Sequence, residues 1–158
     1  MPVPTEDRNP KFKNAPDDRK IKAGADPESL DKQTIAWHFH ALDREHKDWG
    51  WDKLKAHQWK DILRHLISFE GMTWAALKQQ AGGRRRGTNH HSLDVVGFNK
   101  TAQDRLKHLK LDDYESLFSL RINNTLRLYG IRDGRVLRLL WHDPFHGEKK
   151  GCYPTANS

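Results

Sequence analysis

The chain has 158 residues, of which 31% are charged, with a mean hydropathy of -0.94 and a formal net charge of +7. That length favours one domain around one core. No run approaches the ~20 apolar residues of a membrane span, and "MPVPTEDRNPKF" lacks the apolar stretch of a secretory signal. Cys152 is the only cysteine, which excludes an internal disulfide and a cysteine-rich zinc site and fits a reducing cytoplasm.

Residues 1–31 carry six basic and seven acidic side chains, and their Pro, Asp, Lys and Asn content is too polar to build a core. They read as a flexible tail. Residues 32–158 carry 22 basic and 14 acidic side chains, so a net of +8 belongs to the expected folded part. Such a field favours a nucleic-acid, ribosomal or acidic-protein partner. A generically soluble basic surface is the alternative.

Order is expected to begin at "QTIAWHFHAL" (33–42), where Ile35, Trp37 and Phe39 alternate with Ala36, His38 and His40 as in a strand. His38 and His40 share a face, but two histidines without a third ligand are poor grounds for a metal site. No metal or other cofactor is expected. Trp49 and Trp51, flanking a glycine, suggest a partner patch. Asp52 can cap a helix over 53–69, with Trp59, Ile62, Leu63, Leu66 and Phe69 on its apolar face. Thr73 can cap a second helix stopped by Gly82-Gly83.

"GGRRRGTNHH" (82–91) reads as a basic loop in which Arg84, Arg85 and Arg86 contact phosphate. Its Arg-x4-His spacing (Arg85 to His90, Arg86 to His91) resembles the loose motif of HEPN ribonucleases, an all-helical fold that the strands argue against. "SLDVVGF" reads as a short extended piece. Asn99 can cap a third helix with Ala102, Leu106 and Leu109 on its stripe.

A meander follows over 117–122, 125–131 and 135–142. Asn123-Asn124 marks the first turn, and Asp133-Gly134 the second, as a type I′ hairpin with positive φ at both central residues. Asp143-Pro144 ends the last strand. The order predicts an α+β fold: a small antiparallel sheet with helices packed on one face and the other face open.

Strict alternation sorts the meander's side chains. Phe118, Leu120, Ile122, Leu126, Leu128, Leu137, Leu139 and Trp141 turn toward the helices. Ser119, Arg121, Arg127, Tyr129, Arg138 and His142 take the open face. Arg132 and Arg135 flank the hairpin turn and read as solvated. The meander has five arginines and no lysine. Arg carries a planar fork that meets phosphate oxygens in pairs, and Tyr129 can stack on a base.

"SLRI", "RLYGI", "RDGRVLRLLW" and "HDPFHGEKKGCYP" together resemble the sheet of the RelE/ParE-like bacterial toxin superfamily. The resemblance extends over about residues 33–155 in architecture and 117–153 in motif. It implies a cytoplasmic protein whose RelE-like relatives cut mRNA on the ribosome, held by a cognate antitoxin, whereas ParE-like relatives share the fold without that catalysis and poison a topoisomerase. By position, Arg121 looks like the phosphate-stabilising arginine and Arg127 like the arginine that opens the next strand. His142 or His146 takes the place of the late histidine, Asp143 can orient it, and Tyr153 resembles the C-terminal tyrosine. The RNA-contacting set then comprises Arg84, Arg85, Arg86, Arg127, Tyr129, Arg138, Lys149 and Lys150. Metal-free cleavage of RNA asks for a base, a cationic clamp and an acid, which His142 or His146 with Arg121 can supply.

Overall fold

The computed structural model describes residues 30–80 and 89–154. The fold is α+β, with a five-stranded mixed sheet and three helices among those residues. The strands are β1 (Ala36–His38), β2 (His91–Asp94), β3 (Ser116–Arg121), β4 (Arg127–Asp133) and β5 (Val136–Asp143). The helices are α1 (Ala56–Glu70), α2 (Trp74–Gln79) and α3 (Lys100–His108). The strand order is β1-β5-β4-β3-β2, with β1 parallel to β5 and all other pairs antiparallel. Among the described residues, no helix is long and apolar enough to cross a membrane.

Local chemistry explains most boundaries. The Thr73 side chain accepts from the Ala76 N–H at 3.1 Å and starts α2. Asn99 Oδ1 accepts from the Ala102 N–H at 2.9 Å and starts α3. Both satisfy donors that the first helical turn leaves open. Asp52 does not cap α1. It lies in a 3-10 turn (Trp51–Lys53) paired to Arg44, and the Lys55 N–H is instead met by the Gln58 side chain. Only Ile62, Leu66 and Phe69 of α1 are buried; Trp59 and Leu63 are 39% and 41% exposed. The hairpin loop is Gly134-Arg135 rather than Asp133-Gly134, and only Gly134 has positive φ (+63°). That pattern suits a type II′ turn, not type I′.

The sheet is covered on both faces, not one. Its first face packs Phe118, Leu120, Ile122, Leu126, Leu128, Leu137 and Leu139 against Ile62, Leu66 and Phe69 of α1 and Trp74 and Leu77 of α2. Its second face, expected to be open, packs Leu117, Tyr129, Ile131, Leu140 and Trp141 against Ala102 and Leu106 of α3 together with Trp49, Phe98 and Cys152. A short helix of low mean hydropathy suffices because it contributes only two fully buried side chains, while Trp49 from the loop between β1 and α1, Phe98 from the turn after β2, and Phe145 and Tyr153 from the segment after β5 add the aromatic ones.

A bulge on β5 sets which residues reach that second core. Tyr129 pairs with Trp141 and Gly130 with Leu139, so Leu140 is the extra residue. Alternation therefore breaks: Leu139 joins the first core, and Leu140 and Trp141 both join the second. From there on every side chain is on the face opposite to the one strict alternation assigns. Gly130 permits the close approach, since a Cβ there would stand 2.6 Å from the Arg138 carbonyl oxygen.

A buried ion pair ties the second layer together. Arg105 of α3 donates twice to Asp43, at 2.7 and 2.8 Å, and Trp141 Nε1 donates to the same carboxylate at 2.9 Å. Burial opposes ionisation of Asp43, but these donors prevail and hold its pKa down to about 2. The expected tail lies outside the described residues except at its end. There Asp31 bonds Lys78 at 2.8 Å and Arg132 at 2.6 Å, so residue 31 belongs to the fold. Arg132 also lies 4.0 Å over the Trp74 ring, and Arg135 donates to Thr34, so neither is merely solvated. Trp49 is 1% exposed, which removes it from any surface patch.

Candidate functional site

Arg121 ends β3, Arg127 opens β4, and the two are direct cross-strand partners on the second face. Like charges in that position oppose each other. Neither has a carboxylate partner among the described residues. Arg121 donates to Asn89 Oδ1 at 3.2 Å and Asn124 Oδ1 at 2.6 Å, and Arg127 donates to the carbonyls of Asn123 and Leu126. Neutral acceptors hold the two guanidinium groups in place without cancelling their charge. Arg127 also pairs in register with Asp143, but both oxygens of that carboxylate are engaged by the N–H groups of Phe145 and Cys152. Burial pushes the Asp143 carboxyl up, which weakens it further as a counter-ion. Asp143 thus braces the 143–152 segment and orients no histidine.

His146 arrives from the segment after β5. Its backbone N–H donates to the Thr125 carbonyl at 2.9 Å, which docks it against the β3–β4 loop between the two arginines. Burial, then the positive fields of Arg127, Arg121 and His91, lower its pKa to about 4. His91 stands on β2 opposite Ser119, two residues from Arg121 on the same face. The cluster is therefore Arg121, Arg127, His146 and His91. His91 was not a candidate in its own right from the sequence; once β2 is paired with β3, its register brings it to this face.

The remaining candidates lie elsewhere. His142 is 1% exposed and, because of the bulge, pairs with Leu128 on the first face. It sits edge-on to Trp51 and lines a cavity of about 430 Å³ with Lys53, Lys55 and Phe145. Burial lowers its pKa to about 4. Tyr129 is 1% exposed and its hydroxyl faces Cys152, so it cannot stack on a base; burial drives its pKa far up. Tyr153 stands edge-on to Phe98 beside Gly97, in the second core. Arg138 pairs with Ile131, four residues along β4 from Arg127 and so roughly 13 Å away, and donates to the Tyr114 hydroxyl. Lys149 and Lys150 are exposed, with the Lys150 ammonium 5.5 Å from the Phe145 ring centre. Arg84, Arg85 and Arg86 lie outside the described residues. His38 and His40 are exposed, their ring centres 6.0 Å apart. Among the described residues, no group of three or more His, Cys, Asp or Glu side chains could hold a metal ion.

His90, next to His91, has a structural role. The Arg121 N–H donates to its Nδ1 at 3.1 Å, so its Nε2 must carry the proton that meets Gln80 Oε1 at 2.8 Å. Burial lowers its pKa to about 4, which keeps it neutral and fixes the backbone that carries Arg121.

No family model, no curated protein and no solved structure matches the chain.

Proposed function

We propose that the protein is a RelE-like endoribonuclease that cleaves mRNA on the ribosome by metal-free acid–base chemistry and is held in check by an antitoxin. The observation that supports this reading most is the pair of opposed guanidinium groups, Arg121 and Arg127, braced by neutral acceptors next to His146. A phosphodiester supplies the anion that such a pair lacks. Arg121 and Arg127 would fork the non-bridging oxygens and stabilise the phosphorane. His146, neutral well below pH 7, takes the proton of the 2′-hydroxyl as the 2′-oxygen attacks phosphorus. The bond to the 5′-oxygen breaks, and that oxygen takes a proton from His91. The products are a 2′,3′-cyclic phosphate and a 5′-hydroxyl end. An arriving phosphate offsets the positive field at His146 and raises its pKa toward the range where a base works best.

Cell-free translation with a primer-extension readout tests the reading. The expected result is loss of protein synthesis with discrete mRNA cuts, abolished by Arg121→Ala or His146→Ala. Intact mRNA at high protein concentration overturns it. A second reading, a ParE-like or nucleic-acid-binding protein without catalysis, draws on the position of Tyr129, His142 and Tyr153 outside the cluster. Under it, alanine at both His146 and His91 leaves activity unchanged while loss of Arg121 abolishes it.

A further inference from the structure

Arg121 also lines a pocket of about 300 Å³ between α1 and the start of β2. Phe69 lines it and is 4% exposed, and the half-buried His65 ring, its centre 5.8 Å from that of Phe69, lines it as well. The volume suits one nucleobase. The polar groups of the pocket are fixed in direction by the bonds behind them. Because His90 Nε2 must donate to Gln80, the Gln80 amide oxygen faces His90, and its NH2 group donates to the Met72 sulfur at 3.6 Å and keeps a second N–H. Because a guanidinium can only donate, the Asn89 amide oxygen faces Arg121, and its NH2 group meets no other partner among the described residues. His65 Nδ1 lies 2.8 Å from the Asp61 carbonyl and must donate there, so in the neutral ring Nε2 accepts. The pocket thus presents two amide donors and one imidazole acceptor.

We infer that this pocket binds a keto nucleobase, uracil or guanine, next to the phosphate held by Arg121, and that Gln80 and Asn89 set the base preference of the site. The inference rests on the RNA-binding reading above and deepens it. A keto base offers a carbonyl acceptor to the amide donors and a ring N–H to His65. Cytosine and adenine set an exocyclic amine against the same donors and offer His65 a ring nitrogen without a proton, so both contacts are lost.

Fluorescence anisotropy with the tetranucleotides UUUU and CCCC on the full chain tests it, since the two bases have the same size and differ at the keto or amino position. The expected result is about tenfold tighter binding of UUUU, equivalent to one hydrogen bond of roughly 1.4 kcal/mol. Gln80→Glu keeps an oxygen toward His90 and turns the spare donor into an acceptor, so the preference should fall to parity or invert. Ser68→Trp, at an exposed position on the pocket rim, should remove the preference by filling the pocket and leave salt-dependent binding in place. Equal, salt-dependent binding of both oligonucleotides by the parent protein overturns the base pocket and leaves the phosphate cluster standing. No binding of either overturns both.

Discussion

Replacing His142 by leucine separates the two faces of β5 by experiment. His142 is 1% exposed, its Nδ1 has no hydrogen-bond partner, and burial lowers its pKa from about 6.5 to about 4. Between those values the unfolded chain binds a proton that the folded chain refuses, so stability falls as pH drops through the window. The loss assigned to this one ring is about 2 kcal/mol on going from pH 7 to pH 5, rising to about 3 kcal/mol at pH 4. His142→Leu removes the titration and an unsatisfied buried atom, and places a side chain of similar size beside Trp51 and Leu128. At pH 7 the change should be within about 1 kcal/mol of neutral. At pH 5 the variant should have lost about 2 kcal/mol less than the parent. Urea unfolding followed by tryptophan fluorescence at both pH values measures this. His90 and His46 carry the same sign in both proteins, and Asp43, ionised down to about pH 2, does not titrate in the window. Equal losses in parent and variant would refute the burial of His142. The same variant should retain any RNA cleavage, because the bulge keeps His142 off the face of Arg121.

Asp43→Ala leaves the mostly buried Arg105 guanidinium without its carboxylate and Trp141 without its acceptor, and should cost about 3–5 kcal/mol, read as a lower thermal midpoint. Asn99→Ala removes the cap of α3 and the bond from Asn99 Nδ2 to the Gly151 carbonyl, and should cost about 1–2 kcal/mol in the same assay. Arg127→Gln should weaken single-stranded RNA binding and reduce the slope of log affinity against log salt by about 0.7, the share of one phosphate contact; an unchanged slope would place the phosphate elsewhere.

If the cluster is the active site, its economy lies in one register. Hairpin pairing alone sets Arg121 against Arg127, and the docking of the 144–147 segment on Thr125 adds the histidine. The price is electrostatic: two like charges side by side and a histidine whose protonated form they and its burial disfavour. A site that gives up stability in this way is suited to an anion that restores it on binding.

Several features were legible in the residues themselves because they depend on local chemistry. Thr73 and Asn99 announce helix starts, the glycine after Asp133 marks a hairpin, and alternation from Phe118 to Leu139 assigns the first core correctly. The juxtaposition of Arg121 and Arg127 follows from the same hairpin. What only the tertiary structure decided depends on contacts distant in the chain. The second face is closed because α3 and the loop carrying Trp49 pack on it, and helical periodicity says which stripe is buried but not against which surface. The bulge at Leu140 has no strong sequence mark, because a leucine fits either face, yet it reverses Trp141 and His142 and takes His142 out of the cluster. His146 and His91 reach the arginines from a segment and an edge strand whose places are set by backbone hydrogen bonds to residues distant in the chain. Local patterns thus determined the strands and their charge, while a one-residue shift in register decided that His142 lies on the face away from Arg121.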